Sequence, residues 1–179
     1  QKESGYQITV SPVFTAPTTI SYGKTSSSGI FVMGAMPNFP KVRNWPIERG
    51  AFVGQTDVDL TRRVVAIGKT IETDLFEGVD PIGKQLTISG ERFQVIGVMG
   101  SKGQLFDVDL DNQVFIPLST AQRVFGANVV SLIFVHVPRA EDIPGAVAEA
   151  KQILSRSLGN EDFTVKSQGE TLEALQTIG

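Results

Sequence analysis

The sequence predicts an α+β fold in which a second, mainly β subdomain is inserted into the first. Three features predict it: β-prone runs cut by turn residues in the first third, a strand-rich and loop-rich middle, and a tail that reads strand, helix, strand, helix.

The first runs are Tyr6, Ile8 and Val10 alternating with polar neighbours, Thr18 to Tyr22 after Pro17, and Gly29 to Met36 before Pro37. From Pro37 to Gly54 three prolines surround Trp45, so long regular elements are excluded and Trp45 reads as a core plug beneath a loop. Arg63 to Ile67 predicts a β-branched strand, and Ile71, Leu75 and Phe76 then share one helical face. Asp80-Pro81-Ile82-Gly83 fits a type I turn that ends this helix. Leu86 and Ile88 alternate up to Ser89-Gly90, and Phe93, Val95 and Gly97 alternate after it, which predicts a hairpin. A glycine-containing acidic loop over residues 100–112 leads to the strand Gln113 to Ile116. A helix follows, with Ser119 at its N-cap, Gln122 as that residue's partner and Gly126 at its C-terminus. In the tail, Val129 to Val137 predicts a strand, and Ile143, Val147, Ala150, Leu154 and Leu158 keep helical spacing up to Gly159. Asp162 to Lys166 predicts a further strand, and Leu172, Leu175 and Ile178 a final helix.

Composition narrows the function. With 41% hydrophobic and 20% charged residues the chain is expected to fold, since disordered chains are poorer in apolar residues and richer in net charge. A net charge of −3, with no basic stripe, argues against a nucleic-acid partner. The absence of Cys removes disulfides, thiolate metal sites and a Cys nucleophile, and locates the protein in no particular compartment. No apolar run approaches the roughly 20 residues that span a bilayer. A start at Gln1 without Met, and a stop inside a helical pattern, read as an excised fragment.

Several groupings imitate chemistry. Gly68-Lys69-Thr70 between strand and helix resembles the end of a phosphate-binding loop, but Arg63 stands where that loop needs its first glycine. Asp107, Asp109 and Asp111 alternate as the opening ligands of a calcium loop do, yet Asn112 takes the place of the turn glycine and Leu118 that of the bidentate glutamate. His136 is the single histidine, and no Gly-x-Ser-x-Gly elbow accompanies it. The pairs Glu72 with Asp74, and Glu141 with Asp142, sit at helix starts, where negative charge already has a structural use. No catalytic residue, cofactor or metal ligand is assigned, and the chain is expected not to be an enzyme.

The ordered series Leu75-Phe76-Glu77-Gly78-Val79-Asp80-Pro81-Ile82-Gly83-Lys84, Phe93-Gln94-Val95-Ile96-Gly97-Val98 and Val114-Phe115-Ile116-Pro117-Leu118-Ser119-Thr120-Ala121 resembles the MacB-like periplasmic core domain of ABC-transporter permeases, within the wider MacB/FtsX-like superfamily. Val65-Ala66-Ile67-Gly68 and, more loosely, Val32-Met33-Gly34 extend the likeness.

The resemblance implies a porter-like β-α-β subdomain, residues 1–72 and 129–179, carrying an inserted Sabre-like subdomain, residues 73–128. It implies an extracytoplasmic location between two membrane helices of a permease that works as a dimer with cytoplasmic ATPase domains and can meet a periplasmic adaptor. It further implies a role in relaying ATP-driven motion or docking a partner during export, and an excised domain that is mainly monomeric. The alternative is a free-standing extracytoplasmic module that binds peptide, glycan or protein. Partner-binding residues are not assigned, and the loop 100–112 is the region to test for partner contact, because exposed loops on rigid scaffolds commonly carry recognition.

Overall fold

The computed structural model describes residues 5–158 and 163–178. The chain divides into two compact units, Val10–Phe134 and a second made of Gln1–Thr9 with Val135–Gly179. The subdomain limits expected after residues 72 and 128 fall inside α3 and between α4 and β10, respectively.

The larger unit is built on a sheet that returns to its starting strand. β1 (Thr9–Tyr22) pairs antiparallel with β2 (Thr25–Ala35), which runs parallel to β9 (Gln113–Pro117). β9 pairs antiparallel with β4 (Val64–Ile67), and β4 runs parallel to β6 (Glu91–Met99). β5 (Gln85–Ile88) then joins β6 back to β1 through Ile20 opposite Ile88, which completes a ring of six strands. A short strand, β3 (Ile47–Gly50), extends the sheet beside β6, and Ser131, at the entry to β10 (Leu132–His136), donates its N–H to the Val13 carbonyl. Closing the ring removes free edges from its six members, the main route by which a sheet becomes sticky.

Strand alternation sends one face of the ring into a single cluster. Ile20, Ile30, Val32, Val65, Ile67 and Ile88, together with Phe93 and Ile116, all lie there with no exposed surface. The opposite face is apolar too. Val13, Met33, Ala66, Met99 and Phe115 form a second cluster, roofed by Phe39 of α1 (Phe39–Val42) and by Trp45. Phe115 meets Trp45 edge-on at 5.2 Å and Phe39 at 5.3 Å, so the proline-rich crossover is held by aromatic packing.

The remaining elements of this unit are helical. α2 (Gln55–Asp59) follows β3, α3 (Lys69–Phe76) buries Ile71, Leu75 and Phe76 as their spacing requires, and α4 (Leu118–Phe125) ends at Gly126 with φ +63°. The expected N-cap of α4 is not one: Pro117 precedes the helix, and Ser119 lies inside it with its hydroxyl donating to the Val58 carbonyl. The turn after α3 is also offset by one residue. Lys84 N–H bonds to Pro81 O, Gly83 takes the third place at φ +82°, and the Asp80 carboxylate accepts from the Ile82 N–H. The hairpin joining β5 to β6 turns on Ser89 and Gly90, at φ +49° and +81°. Pro17 lies within β1, opposite Phe31, and the strand absorbs it with an irregularity between Thr18 and Ile20.

In the smaller unit, α5 (Ile143–Leu158) and α6 (Gln168–Ile178) carry the expected helices. Gly5 donates its N–H to Glu149 of α5, which ties the start of the chain to this unit. The strand expected from Asp162 lies partly outside the described residues, and residues 163–167 pair with no strand among them.

Candidate functional site

Residues 100–112 leave β6 and re-enter the ring at β9, and the acidic stretch that reads as an open loop in fact contains a small hairpin. β7 (Gln104–Leu105) pairs antiparallel with β8 (Val108–Asp109), and Phe106 and Asp107 form the tip. Two acidic residues organise its base. Asp111 is 6% exposed, and its carboxylate accepts the Ser101 hydroxyl at 2.7 Å and the N–H groups of Lys102 and Gly103 at 2.7 and 3.1 Å. Asp109 accepts the Thr70 hydroxyl at 2.6 Å and the Asp111 N–H at 2.9 Å. A buried carboxylate requires such partners, because leaving it without them costs several kcal/mol of lost hydration. The alternating aspartates are thus a folding device for the loop; Asp107, the first of the three, remains exposed at the tip.

Lys102 draws the loop towards the roof of the second cluster. Its ammonium donates to the carbonyls of Arg43 and Asn44 at 3.0 and 3.1 Å and lies 5.9 Å from the centre of the Trp45 ring. Trp45 is the buried plug that its surroundings in the sequence suggest, and its Nε1–H donates to the Gly100 carbonyl. Partial burial, and then the charge of Arg43, push the Lys102 ammonium below its ordinary pKa. Burial likewise lowers Arg43, whose guanidinium lies 4.3 Å from the centre of the Phe134 ring.

The other groupings are taken up structurally. Gly68 begins α3 because no side chain fits there: an added Cβ would run into the Asp111 carbonyl. Lys69 reaches Glu48 at 2.7 Å and Glu72 at 3.1 Å, while Thr70 is the partner of Asp109. Arg49, which the sequence does not single out, joins Glu72 to Asp80 at the wall of an open cleft of about 430 Å³ that Glu77 also lines. Arg49 thus pairs with two of the three carboxylates that line the cleft, Glu72 and Asp80. Asp74 is exposed, and Asp142 and Glu141 both pair with Arg139. His136 is exposed on β10, and its imidazole makes no hydrogen bond or ion pair among the described residues. Among the described residues no three His, Cys, Asp or Glu side chains are placed to hold a metal ion, and no helix is long and apolar enough to cross a membrane.

The ring, its roofed outer face and the bolted loop between β6 and β9 define a scaffold whose polar groups hold loops in place. The family described as MacB-like periplasmic core domain matches residues 3–153, and the chain belongs to that family. It is an extracytoplasmic domain with an α+β fold.

Among its relatives, the macrolide export ATP-binding/permease protein MacB of Azoarcus sp. (strain BH72) is 34% identical over 77% of this chain and 21% of its own length. The pyoverdine export ATP-binding/permease protein PvdT of Pseudomonas aeruginosa is 30% identical over 92% of this chain and 25% of its own length. The chain thus spans about a quarter of the length of such relatives. The periplasmic region of MacB from Actinobacillus actinomycetemcomitans superposes with a TM-score of 0.81 at 18% identity, over 98% of this chain and 78% of that one. The extracellular domain of the noncanonic ABC-type transporter YknZ, from Gram-positive bacteria, gives 0.74 at 22% identity, over 88% and 80%. These likenesses establish a shared fold.

Proposed function

We propose that the chain is the outer domain of an ABC-type export permease and that it relays ATP-driven motion across the membrane instead of carrying out chemistry. The observation that carries this reading is the closed ring with both faces packed, in a chain of this family. A core at native packing density resists deformation, so a displacement applied at one end of such a body reappears at the other.

In this account two permease copies face each other. Nucleotide-driven closure on the cytoplasmic side moves the membrane helices, and the two outer domains are levered together or apart, with an extracytoplasmic adaptor as a further partner. The relatives export a macrolide and pyoverdine, which supports an export role and leaves the cargo of this protein open. Because the copies are held together through the membrane, the excised domain is expected to sediment as a monomer, and a tight dimer would contradict this.

The test is a crosslink. Paired cysteines that lock the two outer domains together in the intact transporter should abolish export and depress ATP hydrolysis, with recovery on reduction. Unchanged export and hydrolysis in the locked state would refute the relay.

A further inference from the structure

We propose that the tip of the β7–β8 hairpin is a protein-docking knob that fits an apolar pocket bordered by a Lys or Arg on an extracytoplasmic partner. The inference rests on the permease reading above and names the element by which such a domain would hold a partner. Phe106 is 47% exposed and Val108 56% exposed, so two large apolar side chains flank the carboxylate of Asp107 in water. Isolated exposed apolar residues are ordinary, but here they occupy a tip whose conformation is enforced.

Phe106 holds φ +54°, a left-handed backbone that bulky residues rarely adopt. The base that imposes it is fixed by the Asp111 and Asp109 bonds and by Leu110 N–H to Gly103 O at 3.0 Å. Strain of this kind persists only where the surroundings over-determine it, and such positions cluster at binding sites. A preformed knob loses little conformational freedom on docking.

Charge selects the partner. The loop 100–112 carries three aspartates and one lysine. Lys102 is turned inward onto the carbonyls of Arg43 and Asn44, and Asp109 and Asp111 are engaged at the base. Asp107 remains, with no hydrogen bond or ion pair among the described residues, and a basic group at the rim of an apolar pocket complements it. A bilayer surface does not: anionic headgroups repel the carboxylate, and the acyl region excludes it.

The experiment uses the full-length permease in its native membrane with the photoreactive p-benzoylphenylalanine at position 106, an exposed site where the ring is tolerated. The expected result is an adduct with a separate polypeptide whose crosslinked peptide lines an apolar pocket next to a Lys or Arg. Asp107→Lys should cut the adduct roughly tenfold, and replacing the partner's basic residue with Glu should restore it. An adduct only with lipid or with the permease itself, no adduct, or one indifferent to both charge changes would overturn the proposal. The nucleotide-driven change in distance between the two outer domains is measured in parallel with the native chain and with Phe106→Ser/Val108→Ser. A distance change that persists in the double variant while the photoreactive tip forms no adduct sinks the knob and leaves the relay standing. Native outer domains that keep their separation through the nucleotide cycle sink the relay whatever the tip contacts.

Discussion

The two compact units differ in how they hold themselves together. In Val10–Phe134 the ring strands and α3 place some twenty apolar side chains in two dry clusters, many with no exposed surface. In the other unit, α5 runs for 16 residues without one buried side chain, and Leu158 at its end is 52% exposed. Since stability follows buried apolar area, the first unit is the body that keeps its shape and the second opens at lower cost. Rigidity in this molecule is therefore local to the ring, which is where the proposed relay would need it.

The largest effect that would sharpen this contrast is expected at Phe115, which is fully buried between Trp45 and Phe39. Phe115→Ala should cost about 3 to 5 kcal/mol in urea unfolding of the domain followed by Trp45 fluorescence. Next comes Gly68→Ala, where the new methyl group meets the Asp111 carbonyl: about 2 kcal/mol, against a change within about 0.5 kcal/mol for Gly5→Ala, whose surroundings are open. Asp111→Asn should cost about 1 to 3 kcal/mol and speed hydrogen exchange at the Lys102 and Gly103 amides, leaving exchange in the ring strands unchanged.

Leu154→Ala in α5 removes a half-buried side chain and should cost no more than about 1 kcal/mol. A loss equal to that of Phe115→Ala would break the comparison. The smallest effect is at the start of α5, where the hydrogen bond from Arg139, and then its charge, hold the Asp142 carboxyl below its ordinary 3.8. A depressed folded value means that the contribution is intact above the unfolded pKa and fades as pH falls through the lower folded one. Asp142→Asn should therefore narrow the melting difference between neutral and acidic buffer slightly, and Arg139→Ala should do the same.

Much of the fold is legible because its signals are local. The Ser89-Gly90 turn, the apolar face of α3 and Gly126 at the end of α4 each follow from residues within a few positions of one another. The ring is not legible, since its closure depends on Ile20 meeting Ile88, a pairing set by tertiary geometry. Ser119 looks like a cap by spacing but is claimed by Val58, a residue far away in sequence. The β7–β8 hairpin escapes notice because strands of two residues have no readable alternation. Its organiser carried a faint signal, an Asp followed back along the chain by Ser101, Gly103 and two further aspartates, which also fits a metal loop. Only the contact with Thr70 shows that Asp109 is occupied.

The measurement that bears most directly on a rigid ring moved as a whole is a spin-label distance experiment in the full-length permease. Labels at exposed Lys24, in the turn joining β1 to β2, and exposed Gln94 of β6 report distances within one ring, and the same labels report distances between the two copies. On trapping the ATP-bound state, the distance within the ring should stay fixed while the distance between copies shifts by several ångströms. A ring that changes its own internal distance, or copies that keep their separation through the nucleotide cycle, would contradict the relay.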